Sequence, residues 1–296
     1  MPAKAAALFT GPSTDGIPSA PISHFRKAIA VGRPRNIRAK LEAGQRAYGF
    51  AVQFPSPELV ELGAAAGYDY VWIDAEHGSL DLSDLREMIR AADASGIDSI
   101  VRVPDHTPSF IQRVLDLGAT GIMAPHVRTL EEATALVASA KYSPVGVRGA
   151  CPFTRSVNHV STDWPADYTR ADRDVLVFGL IEDIEGVENL EAIAADSGLD
   201  ALLCGPFDLG QALGLEADVS HPTVRDMHDR VVEACRKAGI EYVTAGVAWE
   251  FGAEATNGSR VITVVGDRGS IFEAWGKALQ DVRSTLSQFP LQAIAD

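Results

Sequence analysis

Short apolar runs and amphipathic stretches alternate along the chain from Asn36 onward. The apolar runs are rich in β-branched and aromatic residues and end at glycine or polar residues, which is typical of buried strands. They predict eight strands, at 48–53, 70–74, 99–103, 121–125, 175–181, 201–204, 241–244 and 261–265. The stretches between them carry apolar residues at helical spacing. They predict helices at 57–66, 82–95, 109–117, 130–140, 187–196, 223–238 and 270–286.

This alternation predicts an α/β fold, a (β/α)8 or TIM barrel, across residues 36–296. A doubly wound open sheet is less favoured because no GxGxxG-type loop follows the first predicted strand. One long irregular stretch, 143–173, separates the fourth and fifth strands, and a loop of that length is usually a lid or an interface arm. Residues 1–35 are rich in Pro, Gly, Ser and Thr, so we expect a loosely ordered N-terminal extension with one short helix around 24–30.

Composition limits the kinds of partner. With 296 residues, 46% of them hydrophobic, the chain can bury a large core. A formal net charge of −14 argues against nucleic acid or an anionic membrane as a main partner, although a metal ion or an arginine can still create a local site for a small anion. Three widely spaced cysteines without a CxxC motif indicate reduced thiols in a cytoplasmic protein. No stretch approaches the roughly 18 apolar residues of a membrane span, so we expect a soluble protein.

Charged residues follow four of the predicted strands. The second strand runs into the sequence DAEHG at 74–78, and Arg102, Glu182 and Asp208 lie at the ends of the third, fifth and sixth strands. His77 and Arg102 are about one βα repeat apart, as are Glu182 and Asp208, so each pair belongs to neighbouring strands. Because the carboxyl ends of barrel strands meet at the rim that carries active sites, we expect the two pairs to face each other across one opening.

Glu182 and Asp208 are predicted to bind a divalent cation. Two carboxylates with no cysteine or histidine between them suit a hard ion such as Mg²⁺ or Mn²⁺. Gly205 would let the backbone approach a ligand, and the amides after Pro206 could bind an anion. The alternative is that each acid caps the helix that follows it, but their matching positions on the rim favour the metal.

Arg102 and His77 are candidates for the chemistry beside the metal. A guanidinium at a barrel opening can bind a carboxylate or stabilise a developing enolate oxygen, and Arg102 could also form a buried ion pair with Asp74 or Glu76. His77 follows acids at a strand end, which suits a general base, with a structural role as the alternative. His126 ends the fourth strand and ranks lower because no acid flanks it in the chain.

The lysines exclude one mechanism. There are six, and none of them ends a predicted strand. A Schiff-base aldolase needs a lysine at the barrel opening, so carbon–carbon bond chemistry on a keto acid would have to be metal-assisted.

Five motifs together resemble the HpcH/HpaI family of metal-dependent class II pyruvate aldolases. In order along the chain they are WIDAEHG at 72–78, VRVP at 101–104, GVRG at 146–149, IE at 181–182 and GPFDL at 205–209. The resemblance implies a (β/α)8 barrel whose last helix is exchanged between the subunits of a homo-oligomer, often a hexamer built as a trimer of dimers. It also implies reversible cleavage of 4-hydroxy-2-oxo acids, through a metal-stabilised enolate, into an aldehyde and pyruvate or a related 2-oxo acid.

The resemblance assigns the metal to Glu182 and Asp208, with Mg²⁺ or Mn²⁺ as the ion and Co²⁺ as an alternative. It implies that Arg102 holds the keto or enolate oxygen of the pyruvate unit. The sequence departs from the family pattern at Leu180, where glutamine is common, and at Gly210, where serine is frequent.

The resemblance also implies the roles of a base and of a carboxylate site. His77 would act with a metal-bound water as the base, and Asp116 would orient it. The backbone of Gly205, Phe207 and Asp208 would receive the pyruvate carboxylate.

Three alternatives stay open at this point. Trp72 and the PHV motif at 125–127 also resemble the macrophomate synthase branch of the family, which decarboxylates oxaloacetate at the same kind of enolate site. A non-catalytic barrel would bind pyruvate or oxalate without turnover. A CoA-ester lyase of the citrate lyase type is disfavoured by the motif around His77.

Overall fold

The computed structural model describes residues 36–244, 246, 248–251 and 258–289. The predicted extension 1–35 and its helix around 24–30 lie outside the described residues. The strands are β1 (Ala47–Val52), β2 (Tyr70–Asp74), β3 (Asp98–Arg102), β4 (Gly121–Ala124), β5 (Leu176–Ile181), β6 (Ala201–Cys204), β7 (Glu241–Val243) and β8 (Val261–Gly266). They pair in sequence order, all parallel, and β1 also pairs with β8, so the sheet closes into a barrel.

The first helix precedes β1, and the others lie between the strands or after the last one. They are α1 (Asn36–Glu42), α2 (Pro57–Ala65), α3 (Leu82–Ser95), α4 (Pro108–Leu117), α5 (Leu130–Ala140), α6 (Trp164–Asp174), α7 (Ile184–Glu188), α8 (Leu190–Asp196), α9 (Pro206–Ala212), α10 (Pro222–Ala238) and α11 (Asp267–Leu286). The predicted (β/α)8 barrel is therefore confirmed, and each predicted strand overlaps an observed one.

The structure corrects the predicted secondary structure in the segments that connect the strands. The stretch 143–173 is not wholly irregular, because it contains a 3₁₀ turn, Arg155–Val157, and most of α6. The start of α6 has the usual signals, since Pro165 lies in its first turn and the Asp163 side chain accepts from the Ala166 N–H at 3.3 Å. The helix predicted at 187–196 is two helices that meet at Asn189. The short helices α1 and α9 were not predicted.

Side chains alternate between the barrel interior and the layer under the helices. On β2, Tyr70 and Trp72 belong to the interior cluster, whereas Val71 and Ile73 pack in the outer layer against α2 and α3. Asp74 continues the alternation and faces inward at the end of the strand, where it meets Arg102. The inward positions at the carboxyl ends of the strands thus supply the charged groups of the opening.

Helix α1 covers the amino-terminal end of the barrel. Ile37 is fully buried in the interior cluster, and its N–H donates to the buried Asp98 Oδ2 at 2.9 Å. The Asn36 amide donates to the carbonyls of Asp69 and Gly96, and the Arg38 guanidinium reaches the Val175 carbonyl at 2.9 Å. These contacts close that end, so a ligand enters at the carboxyl ends of the strands. Among the described residues, no helix combines the length and apolar composition needed to cross a membrane.

Candidate active site

Arg102 ends β3 and forms a buried ion pair with Asp74 at the end of β2. The two strands are in register at these residues, and Nε and Nη2 of Arg102 donate to the two Asp74 oxygens at 2.8 and 2.5 Å. Arg102 Nη1 lies 3.0 Å from Glu76 Oε2, and the guanidinium lies over the Trp72 ring, 5.0 Å from its centroid. The ion pair that the sequence suggested is therefore confirmed, with Asp74 and Glu76 both taking part.

Both partners of this pair stay charged. Burial by itself would raise the pKa of Asp74, but the hydrogen bonds and charge of Arg102, the Gln53 amide and the His77 N–H outweigh it and lower that pKa. Burial would likewise lower the pKa of Arg102, and the charges of Asp74, Glu76 and Glu182 raise it instead. The guanidinium is thus a permanent cation at the opening.

Glu182 follows β5 and is a buried acid of the opening. Only 3% of it is exposed, and its Oε1 accepts from the His126 backbone N–H at 2.7 Å. Gly205 is needed beside it, because a Cβ at that position would lie 2.6 Å from Glu182 Oε2. Burial, with a smaller contribution from the negative charges of Asp208 and Glu76, raises the pKa of Glu182 to about 7. A carboxylate that is costly to ionise at this position would gain from a nearby cation.

His126 lies among three carboxylates. Its Nδ1 is 3.0 Å from Asp183 Oδ2 and 3.5 Å from Glu182 Oε1, and its Nε2 is 4.0 Å from Glu76 Oε1. Burial would lower the pKa of His126, but these acids outweigh it and raise that pKa. The backbone of His126 has φ +52°, in the left-handed region that non-glycine residues adopt rarely, and this turn points its N–H at Glu182.

Glu76, His126 and Glu182 form a candidate metal site. Each offers one ligand atom, and the three atoms lie within 4.8 Å of one another. Glu76 was predicted only as an ion-pair partner, and His126 was ranked below His77 because no acid flanks it in the chain. The acids near His126 come from other strands, so sequence neighbours could not reveal them; the signal available was that His126 follows β4 in the way that Glu182 follows β5.

The structure places the other predicted residues as follows. Asp208 lies in the first turn of α9, close enough to raise the pKa of Glu182, although it is not in the group of three. The side chain of His77 is 59% exposed at the opening, with Nε2 3.6 Å from Glu76 Oε2. Phe207 is exposed in the same turn as Asp208.

Asp116 lies on α4 and pairs with Arg148 in the protomer. Arg148 Nη2 donates to Asp116 Oδ1 at 2.6 Å, and the Arg148 guanidinium packs against Tyr142. Among the described residues, no hydrogen bond or ion pair joins Asp116 to His77. The proposed orienting role of Asp116 therefore stays a prediction that the protomer does not support.

The backbone after β6 is only partly free to bind an anion. The Gly205 N–H already donates to the Ile181 carbonyl at 3.0 Å, and binding of a carboxylate by Gly205 stays a prediction. The N–H groups of Phe207 and Asp208 lie in the first turn of α9, where helical amides have no partner within the helix. Amides in a first helical turn point the same way along the helix axis, which suits an anion such as a carboxylate.

The donor set fits a hard divalent ion. Glu76 and Glu182 offer carboxylate oxygens and His126 offers one imidazole nitrogen, and the Asp208 carboxylate is near enough to raise the pKa of Glu182. Oxygen-rich sets of this kind suit Mg²⁺ or Mn²⁺. A bound cation would also offset the burial, and the smaller repulsion from neighbouring carboxylates, that raise the pKa of Glu182.

The chain is similar to several known proteins in sequence and in fold. The chain is 34% identical to a 5-keto-4-deoxy-D-glucarate aldolase of Klebsiella pneumoniae over 209 residues, which are 70% of this chain and 80% of that protein. The fold is similar to the crystal structure of the citrate synthase SbnG, with a TM-score of 0.77 and 29% identity over 85% of this chain and 98% of that one. It is similar also to macrophomate synthase, with a TM-score of 0.77 and 28% identity over 88% of this chain and 93% of that one.

The sequence profile of the HpcH/HpaI aldolase/citrate lyase family matches residues 48–258, which contain all the site residues described above. The resemblance stated from the motifs is thus confirmed, as is the prediction of a carbon–carbon lyase. The chain belongs to the HpcH/HpaI aldolase/citrate lyase family.

Proposed function

We propose that the protein is a divalent-metal-dependent aldolase that reversibly cleaves 4-hydroxy-2-oxo acids to an aldehyde and pyruvate or a related 2-oxo acid. The observation that carries the proposal is the meeting of a permanent cation, Arg102, with a buried acid, Glu182, whose pKa is raised to about 7. A guanidinium and a metal held by a neighbouring acid can together bind the carboxylate and keto oxygens of a 2-oxo acid. The reacting carbon is then held in a fixed orientation.

Glu182 and Asp208 would hold the metal, with Glu76 and His126 placed to complete or support its coordination. When bound, a Mg²⁺ or Mn²⁺ ion supplies positive charge that acidifies the protons next to the keto group. Metal binding requires deprotonated ligands, so the ion would replace the proton that Glu182 otherwise holds near neutral pH.

Arg102 would stabilise the charge that develops on the keto oxygen as the carbon–carbon bond breaks. Its Nε and Nη2 donate to Asp74, and these two hydrogen bonds fix the plane of the guanidinium. The remaining N–H groups therefore have fixed directions. A donor fixed before the reaction stabilises the enolate without reorganising. Phe207 and Asp208 would bind the substrate carboxylate through their backbone N–H groups.

His77 is the better candidate for the base. It is exposed at the opening and has room to contact a substrate. His126 is held by Asp183, and the surrounding acids raise its pKa, so it keeps its proton more readily. In cleavage, His77 would take the proton of the C4 hydroxyl as the C3–C4 bond breaks to give the aldehyde, and would return a proton to C3 of the enolate to give pyruvate.

Two substrates test this proposal. The purified protein with Mn²⁺ would be given 5-keto-4-deoxy-D-glucarate, the substrate in the name of the Klebsiella relative, and separately oxaloacetate, with pyruvate measured in both. We expect faster release of pyruvate from the hydroxy-oxo acid. Release from oxaloacetate alone would favour the decarboxylase alternative suggested by the likeness to macrophomate synthase. Binding of pyruvate with no turnover of either compound would indicate a non-catalytic barrel.

We propose further that the protein is a homo-oligomer that exchanges α11 between subunits. No residue of α11 is buried within the protomer. Five of its large apolar residues form one stripe at helical spacing and are more than half exposed: Phe272, Trp275, Leu279, Val282 and Leu286. A groove of about 240 Å³ lies open beside the start of α11, lined by Phe50, Val52, Leu59, Leu62 and Tyr68 among others. The stripe of a second copy would fill such a groove. Light scattering should then give a lower molar mass for Trp275→Glu than for the wild type, because the oligomer is lost.

A further inference from the structure

The Asp74 carboxylate that holds Arg102 is itself held by a glutamine from the neighbouring strand. Gln53 follows β1, and its Nε2 donates to Asp74 Oδ2 at 2.7 Å. The same oxygen accepts from Arg102 Nη2, while Oδ1 accepts from Arg102 Nε and from the backbone N–H groups of Glu76 and His77. Gln53 is the side chain, besides Arg102, that donates to this carboxylate among the described residues.

The backbone of Gln53 is fixed in turn by the first residue of α11. Asp267 Oδ2 accepts from the N–H of Gln53 at 2.9 Å and from the N–H of Phe54 at 3.0 Å. Two donors on one carboxylate oxygen leave the loop after β1 little freedom to turn. The contacts therefore run in a line from Asp267 through Gln53 and Asp74 to Arg102.

These contacts affect the position of Arg102, which has acids on both sides. Asp74 holds its Nε and Nη2, whereas Glu76 lies 3.0 Å from its Nη1, and Glu182 also acts on its charge. If Asp74 were free to rotate, the guanidinium could move toward Glu76 and the candidate metal site. The Gln53 amide donates to Oδ2, the oxygen that also accepts from Arg102 Nη2, and so restricts rotation of the Asp74 carboxylate away from the guanidinium.

We propose that Gln53 is a positioning residue for the reaction: through Asp74 it fixes the Arg102 guanidinium, and Asp267 at the start of α11 fixes Gln53. This inference rests on the proposed function, since it takes the role of Arg102 from it. Asp267 is the first residue of α11, the helix that we propose is exchanged between subunits and that has no buried residue in the protomer. These contacts therefore connect that helix with Arg102.

The first experiment compares Gln53→Leu with Gln45→Leu, which removes an exposed glutamine just before β1. The readout is Mn²⁺-dependent exchange of the pyruvate methyl protons with solvent, which needs no aldehyde. We expect about a tenfold loss of the exchange rate at saturating pyruvate, with less than about a twofold change in the apparent KM, because a hydrogen bond to a charged group is lost where charge develops. Gln45→Leu should match the wild type, and Gln53→Met, which keeps the side-chain length, should behave like Gln53→Leu.

A double-mutant cycle separates positioning from a general structural defect. If Gln53 acts through Arg102, then Gln53→Leu should cause no further loss in an Arg102→Lys background. Losses that multiply in the double variant, or full activity of folded Gln53→Leu, would overturn the proposal.

A crystal structure of Gln53→Leu gives a readout that does not depend on activity. We expect the bidentate contact of Arg102 with Asp74 to be lost or rotated, and an unchanged pair would also overturn the inference. If the wild type itself shows no metal-dependent exchange, the proposed function fails, while the structure of the variant still decides whether Gln53 positions Arg102.

Discussion

Replacing Glu182 by glutamine should stabilise the metal-free protein at alkaline pH. Burial raises the pKa of Glu182 from 4.5 to about 7 in the folded chain. One pKa unit corresponds to about 1.4 kcal/mol, so ionising Glu182 in the folded, metal-free protein costs roughly 3 kcal/mol. The folded state binds this proton more tightly than the unfolded state, so stability falls as pH rises from 4.5 to about 7 and the cost is complete above that. Glutamine removes the charge while its carbonyl oxygen can still accept from the His126 N–H.

Urea unfolding in the presence of a chelator, at one fixed protein concentration, measures this difference. At pH 8 we expect Glu182→Gln to be more stable than the wild type by about 3 kcal/mol, and at pH 5 by less than about 1 kcal/mol. The matched control is Glu61→Gln, which removes an exposed carboxylate on α2 and should give the same small difference at both pH values.

Metal should reverse the order of stability. Adding Mn²⁺ at pH 8 should stabilise the wild type by mass action and leave Glu182→Gln unchanged. The reasoning fails if Glu182→Gln is less stable than the wild type at pH 8 without metal, or if the difference is the same at pH 5. Either result would mean that the ionised carboxylate is well accommodated in the fold and does not require a cation.

Four further substitutions distinguish the roles at the opening. Arg102→Ala should lower turnover by about a hundredfold or more while the Mn²⁺ affinity, measured by calorimetry, changes by only a few fold, since the guanidinium acts on the developing oxyanion. His77→Ala should slow pyruvate methyl exchange by about a hundredfold and leave Mn²⁺ binding intact, whereas His126→Ala should weaken Mn²⁺ binding first; the reverse pattern would exchange their roles. Gly205→Ala should abolish Mn²⁺ binding, because the new Cβ would lie 2.6 Å from Glu182 Oε2, and unchanged affinity would show that this carboxylate can move without loss.

The barrel could be predicted from the sequence because its strands are buried on both faces. All five residues of β2 are buried, so the strand appears in the sequence as one apolar run, and the glycines after α3, α4 and α10 have the left-handed backbone that ends a helix. The short helices were harder to predict from the sequence, because α1 is held by contacts with residues that are distant in sequence. Ile37 donates to Asp98, and no local pattern around residue 37 contains that information.

The site was only partly predictable for the same reason. Arg102 ends β3, while Glu182 and Asp208 follow β5 and β6, and all three could be placed on one rim from their spacing. The acids around His126 could not be predicted, because Glu76 and Glu182 come from the ends of β2 and β5. The φ of +52° at His126 could not be predicted either, because it depends on the turn after β4. The support of Asp74 by Gln53 likewise depends on β1 lying next to β2 in the closed barrel.

Exchange of the methyl protons of pyruvate with deuterium, followed by proton NMR, tests whether the acids of the opening hold a divalent ion at which a 2-oxo acid enolises. We predict that the wild type catalyses the exchange with Mg²⁺, that a chelator stops it, that added metal restores it, and that Glu182→Gln shows none under any of these conditions. Exchange that continues at the same rate in chelator, or in Glu182→Gln, would contradict a metal-assisted enolisation at this site.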